Sequence, residues 1–270
     1  MTTAGDNLFE RVWIALMQSD PEAKSQAVRD IKSDWDKGLL DAGDASPVLR
    51  VEVPGRPARP MLVRPQDVPK RKLGSLQGRL RLVHAVAHIE FNAINLALDA
   101  VYRFRSMPEQ YYTDWLQVAC EESHHFSLLQ RYLLDHGSGY GEFDAHNGLW
   151  EMAVKTDSDV LVRMALVPRV LEARGLDVTP TMIRQLRSTG DERLIGILDT
   201  IFRDEIGHVR IGNHWYLHCC RLRNMDPVPT FFGLVEEYMG RALSGPFEHA
   251  ARAEAGFTDI ELELLEANAR

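Results

Sequence analysis

The 270-residue chain is poor in cysteine, with only Cys120 and the adjacent pair Cys219 and Cys220. Three thiols without a CxxC spacing make neither a disulfide framework nor a thiolate zinc site, so a reducing compartment is the default expectation. The chain also lacks any charge-free apolar run approaching the ~18 residues of a membrane span. Residues 1–7 are polar and acidic, without the basic start and apolar stretch of a secretory signal. A soluble, cytoplasmic protein with no membrane partner is expected. Nor is there an excess of basic charge: 31 Lys and Arg stand against 39 Asp and Glu, a net charge of −8, which opposes indiscriminate attraction to nucleic acid. No GxSxG, P-loop or dinucleotide fingerprint stands in a suitable context, which leaves nucleotide and hydride chemistry without support.

Alternating β-branched runs bounded by hairpin turns are scarce, and the dominant hydrophobic period is helical, so the fold class is all-α. Helical patterns cover about 8–18, 21–37, 76–105, 108–136, 148–155, 157–174, 179–189, 192–223 and 230–243. Gly137 and Gly175 read as helix ends, and Thr179-Pro180 as an N-cap followed by proline at the first helical position. Between residues 46 and 69 six prolines (47, 54, 57, 60, 65 and 69) deny a helix and favour an extended surface strap, with room for one short strand. Nine Lys and Arg between residues 50 and 81 make this the one locally basic segment, read as solvated. The expected organisation is N-terminal helices and strap over 1–75, a helical bundle over 76–223 and a helical extension over 224–270, packed as one domain.

The informative feature is a pair of similar pentads, Glu121-Glu122-Ser123-His124-His125 and Asp204-Glu205-Ile206-Gly207-His208. Each contains acid-Glu-x-x-His, and residues three apart on a helix point the same way, which is a chelating geometry. Burial is tested by the residues one and two turns away. Glu90 has Val83, Val86, Ala87, Ile94 and Ala97 on its face; Glu122 has Trp115, Val118, Ala119, Phe126 and Leu129; Glu205 has Leu198, Ile201, Phe202, Val209 and Gly212. Ionised carboxylates inside apolar stripes need a compensating cation or strong hydrogen bonds. The neighbouring choice, Glu121 with His124, has a mixed face and is the poorer one.

A fourth acid is expected before the second pentad, and Glu172 supplies it, 33 residues before Glu205 as Glu90 is 32 before Glu122. Its face is less clean because Pro168 and Arg169 precede it by a turn. The order Glu, Glu-x-x-His, Glu, Glu-x-x-His on successive helices is the ligand arrangement of a dinuclear carboxylate site in a four-helix bundle. Glu90, Glu122, His125, Glu172, Glu205 and His208 are the candidate ligands of two metal ions. Iron is the first choice, with manganese or a mixed Mn/Fe pair as the alternative, because zinc prefers four ligands and calcium shuns nitrogen. Glu121 and Asp204, about 100° from the ligand face, are candidates for hydrogen bonds to the opposite motif's histidine. His84 and His88 lie far from the Glu90 face and read as solvated or outer-layer groups, and Tyr111 and Tyr216 as packed core.

At these residues the chain resembles the ferritin-like di-iron superfamily over about 76–223. It is most similar to an uncharacterised bacterial family, a domain of unknown function, through HAVAHIE (84–90), EESHHF (121–126), LVPRVLEARGLD (166–177), DEIGHV (204–209) and GPFEHAARAEAGF (245–257). The resemblance implies a ferritin-like bundle holding two metals on the six residues named above, and no settled reaction. MiaE-type tRNA hydroxylases are the distant functional neighbours. The expected function is an O2-dependent oxidase or hydroxylase of a small organic substrate, with an electron donor that the sequence does not identify. The alternatives are a non-catalytic metal-storage or sensing role and a tRNA-modifying hydroxylase, for which the basic strap is the only nucleic-acid surface.

Overall fold

A computed structural model describes residues 6–43, 46–68, 72–240 and 243–269. Among them every regular element is helical, and β-structure is limited to the isolated bridges Asn7–Asp41 and Leu62–Ala145. The fold is all-α. No helix among the described residues is long and apolar enough to cross a membrane. Contacts divide the chain into two units, Met1–Val154 and Lys155–Arg270.

In the first unit, α1 (Leu8–Leu16) is capped by Asn7, whose side chain accepts from the Phe9 and Glu10 N–H groups. Helix α2 (Pro21–Asp36) is capped by Asp20, with Pro21 at the position where a missing N–H costs nothing. The two long helices are α3 (Leu76–Arg103), capped by Ser75, and α4 (Glu109–Asp135). Gly137, with φ of +70°, follows the α4 terminus as expected. A short turn joins α3 to α4, and the two pack as an αα-hairpin, with α1 against α3 and α2 against α4. Helix α5 (Gly148–Lys155) runs to the division between the units.

The proline-rich segment differs from expectation. It forms no strand among its described residues, and it is not merely a solvated strap, because Val51, Pro54, Gly55 and Pro60 are buried. Its backbone groups find interior partners, as buried N–H and C=O groups must. The Gly55 N–H donates to the Leu16 carbonyl (2.9 Å), the Val63 N–H to the Ala145 carbonyl (2.8 Å), the Ala145 N–H to the Met61 carbonyl (3.0 Å), and Trp150 Nε1 to the Glu52 carbonyl (3.1 Å). A Cβ on Gly55 would fall 2.2 Å from the Met17 carbonyl carbon, so only glycine fits. Arg50, Arg59 and Arg64 are exposed, while Arg56 is half-buried. Pro69, Lys70 and Arg71 lie outside the described residues, as do residues 1–5 of the polar N-terminus.

In the second unit, α6 (Val160–Leu166), a π turn (Val167–Glu172) and α7 (Ala173–Arg187) form one unbroken helical run. The break expected at Gly175 and Thr179-Pro180 is therefore absent: Gly175 and Pro180 both lie inside α7. The irregularity falls at Pro168 instead. Proline has no N–H to give and its ring presses on the carbonyl four residues back, and one extra residue in the turn relieves both problems. Helix α8 (Glu192–Leu222), capped by Asp191, packs along this run. Helix α9 (Pro227–Met239) ends at Gly240, φ +62°; residues 241–242, within the expected 230–243 helix, lie outside the described residues.

Two short helices, α10 (His249–Glu254) and α11 (Asp259–Ala267), were not expected from periodicity. Thr258 and Glu261 form a reciprocal capping box, and Thr-x-x-Glu was the sequence signal that could have found α11. Two buried arginines fasten this tail. Arg169 pairs with Glu261 and lies over the rings of Phe231 (4.2 Å), Tyr216 (4.3 Å) and Phe257 (4.8 Å). Arg252 forks onto Asp177, Nε to Oδ1 at 2.9 Å and Nη2 to Oδ2 at 2.8 Å. The motif at 166–177 thus supplies one partner to each clamp, and the tail supplies the other.

Candidate metal centre

The α3–α4 hairpin sets Glu90 opposite Glu122 and His125. Nδ1 of His125 is 3.1 Å from Oε2 of Glu90 and 3.5 Å from Oε2 of Glu122. Glu122 and His125 are fully buried, and Glu90 is 2% exposed. Each offers a ligand atom within 4.8 Å of the others, so this buried group could hold a metal ion. The apolar stripes expected around it are present: Val83, Ala87, Ile94, Val118, Phe126 and Leu129 are all buried.

The electrostatics ask for positive charge. Burial, reinforced by the adjacent Glu122 charge, raises the Glu90 carboxyl to about 8. Burial by itself lowers the pKa of His125, but the hydrogen bonds and charges of Glu122 and Glu90 outweigh it and push the imidazole up to about 11. One nitrogen shared between two buried carboxylates marks the point where a cation is stabilised. The competing register is excluded from this group: His124 is exposed, and half-buried Glu121 accepts from Gln117 Nε2 on its own helix (2.7 Å).

In the second unit α8 carries Glu205 and His208 as a buried pair, with His208 Nδ1 3.9 Å from Glu205 Oε2. Glu172 is the last residue of the π turn and is also buried. Its doubtful face is accounted for by Arg169, which is held inside the aromatic cage rather than in solvent. Asp204 is half-buried. Gly212, one turn beyond His208, meets Pro168, one turn before Glu172: a Cβ there would lie 2.2 Å from the Pro168 Cβ. This close approach draws the two backbones together one turn from Glu172 and one turn from His208. Gly212→Ala should destabilise the protein by about 1–3 kcal/mol, because the proline ring must be displaced. Gly207→Ala, which meets nothing within 4 Å, should be neutral or stabilising. Urea unfolding of the two variants checks the contrast, and equal effects would remove the packing argument.

His84 and His88 are not solvated, contrary to one of the two expectations for them. His84 is fully buried and its Nε2 accepts from the Gly141 N–H (2.9 Å). His88 lies against the Tyr140 hydroxyl at 2.9 Å, and burial lowers its pKa to about 4. The turn over residues 140–146 covers this side of α3, so polar residues there must find partners. Tyr216 is packed core, its hydroxyl donating to the Pro227 carbonyl (2.6 Å), and Tyr111 is fully buried.

Carboxylate and imidazole donors suit iron, manganese or zinc and exclude a soft, all-sulfur site. No solved structure matches the chain. An uncharacterized protein of Haemophilus influenzae (strain ATCC 51907 / DSM 11121 / KW20 / Rd) is 43% identical over 275 residues, covering 98% of this chain and 96% of that protein. A family model described as protein of unknown function (DUF455) matches residues 17–263, and the chain belongs to that family.

Proposed function

We propose that Glu90, Glu122 and His125 together with Glu172, Glu205 and His208 hold two metal ions, iron in the first instance, at the centre of a ferritin-like bundle. On this reading the protein is an O2-dependent oxidase or hydroxylase acting on a small organic substrate. The observation that carries it is the imidazole nitrogen of His125 set between two buried carboxylates. The second Glu-x-x-His pair, also buried on α8, supports a matching half. Bound iron would supply the redox chemistry with O2.

The chain's own part in this scheme is electrostatic and steric. Four carboxylates balance the charge of two divalent ions, and two imidazoles fix their positions. The apolar stripes of α3 and α4 keep water from the reacting atoms. Each imidazole would donate its second N–H to an acid, His125 to Asp204 and His208 to Glu121, which would set the tautomers. A net charge of −8 favours a small molecule over RNA as substrate. The three free thiols fit a cytoplasmic site of action.

Anaerobic protein loaded with Fe(II) and mixed with one pulse of O2 tests the reading. Rapid stoichiometric uptake with a transient optical band is expected. Growth of a bulk ferric mineral would replace the oxidase reading with storage, and absence of uptake would remove it. Retention of tRNA at low salt, where phosphate contacts are strongest, would move the substrate from small molecule to RNA.

A further inference from the structure

Helix α3 carries a second face, buried and polar. His84, His88, Asn92, Asn95 and Asp99 fall within about 80° of one another around the helix, on the side away from Glu90. All five are buried. A packing face of this kind is ordinarily apolar, since buried polar groups cost stability unless they are satisfied or used. Part of the stripe is satisfied by protein: Gly141 donates to His84, and Asp99 is forked by Arg103.

The middle of the stripe faces a partly open cavity of about 60 Å³, roofed by the proline-rich segment. That volume accommodates a few waters or one small organic molecule. His88, Asn92 and Asn95 form its floor, Tyr140 and Trp150 its sides, and Arg56 its charged wall. The Arg56 guanidinium makes only long contacts through Nη1, to the Pro57 and Pro60 carbonyls at 3.3 and 3.4 Å. Among the described residues it pairs with no carboxylate. The one acid on the lining, Glu52, has its side chain 71% exposed and paired with Arg50. The amide Nδ2 of Asn92 is engaged by His88, whereas its Oδ1 takes no hydrogen bond among the described residues. Behind Asn95 stands the fully buried amine of Lys24, which donates to the Asn95 Oδ1 and to the Leu16 carbonyl (2.8 Å).

The Arg56 charge without a buried counter-charge, an acceptor left over among the described residues and a small volume define the occupant. We propose that this cavity binds a small carboxylate bearing a hydroxyl group, of about the size of lactate, with its carboxylate on Arg56 and its hydroxyl donating to Asn92 Oδ1. The apolar body of the ligand would lie against Trp150 and Phe91, which also line the cavity. Arg56 is the anchor because a guanidinium meets a carboxylate with two parallel hydrogen bonds. The site is separate from the metal ligands and does not depend on them.

Calorimetric titration of the intact protein with lactate, acetate and inorganic phosphate, at constant ionic strength, tests the proposal. Saturable binding of one lactate is expected, stronger than acetate because the hydroxyl adds a bond. Arg56→Gln should weaken lactate binding by about tenfold or more. Asn92→Leu should bring lactate down to the level of acetate. Both variants should keep the wild-type circular dichroism, and Arg59→Gln, an exposed neighbour, should bind lactate as wild type does. The proposal fails if no carboxylate binds saturably, if phosphate alone binds, or if Arg56→Gln and Arg59→Gln weaken binding equally.

Discussion

His125→Ala and Glu122→Ala should each lower affinity for Fe(II) or Mn(II) by more than about a hundredfold, whereas His124→Ala should load as wild type does. The contrast is sharp because adjacent residues on one helix are being compared. His125 is fully buried with its Nδ1 between Glu90 and Glu122, and His124 is exposed one position earlier. The readouts are metal stoichiometry after anaerobic loading and the rise in thermal midpoint on adding metal. A ligand that binds only the folded state stabilises it by mass action, so the wild type and His124→Ala should both show that rise. Glu205→Ala extends the test to the second unit: loss of metal there supports a shared centre, and unchanged stoichiometry would confine the site to α3 and α4. Equal losses at His124 and His125 would overturn the assignment of the ligand face.

The ligand candidates were legible because two independent periodicities coincide at them. Glu122 and His125 share a helical spacing, and that spacing falls on an apolar stripe, so the sequence points both to chelation and to burial. The back of α3 offered no such coincidence. His84, His88, Asn92 and Asn95 recur at helical spacing too, but polar residues on a face opposite an apolar stripe look solvated until the covering segment is seen. In that segment the prolines exclude a helix without saying which parts of the extended chain are wet and which dry. Gly55 and Val51, small and apolar between the prolines, were the available signs of burial.

Local backbone signals failed in the second unit for a different reason. Gly175 and Thr179-Pro180 carry the chemistry of a helix end followed by a helix start, yet α7 runs through them. The Arg252–Asp177 fork fastens the tail to this very turn, and such tertiary anchoring outweighs the roughly 1–3 kcal/mol penalties of an interior glycine and proline. The π turn was invisible to a pattern search that assumes 3.6 residues per turn. It also means that the face of Glu172 cannot be extrapolated from residues before Val167, because the extra residue rotates everything upstream.

Lys24→Met should change how stability depends on pH between neutrality and about pH 10. Lys24 is fully buried, its ammonium facing the Leu16 carbonyl, the Asn95 Oδ1 and the ring of Phe91 (5.3 Å), and no carboxylate pairs with it among the described residues. Desolvation lowers its pKa from 10.5 to about 7. The unfolded chain therefore holds a proton on this amine between those two values that the folded protein does not. Stability rises with pH wherever the unfolded state binds more protons, so the Lys24 contribution should climb from about pH 7 to about pH 10 and be flat below. The full span corresponds to roughly 5 kcal/mol. Subtracting the urea-unfolding free energy of Lys24→Met from that of the wild type, pH by pH, cancels the tyrosines and other lysines that titrate in the same range. The variant also leaves the Leu16 carbonyl bonded, since it accepts from Gly55 as well, so its loss is confined to the Asn95 amide. At neutral pH the variant should be the more stable protein, and near pH 10 the difference should shrink or reverse. Parallel curves would show that the amine keeps an ordinary pKa in the folded state.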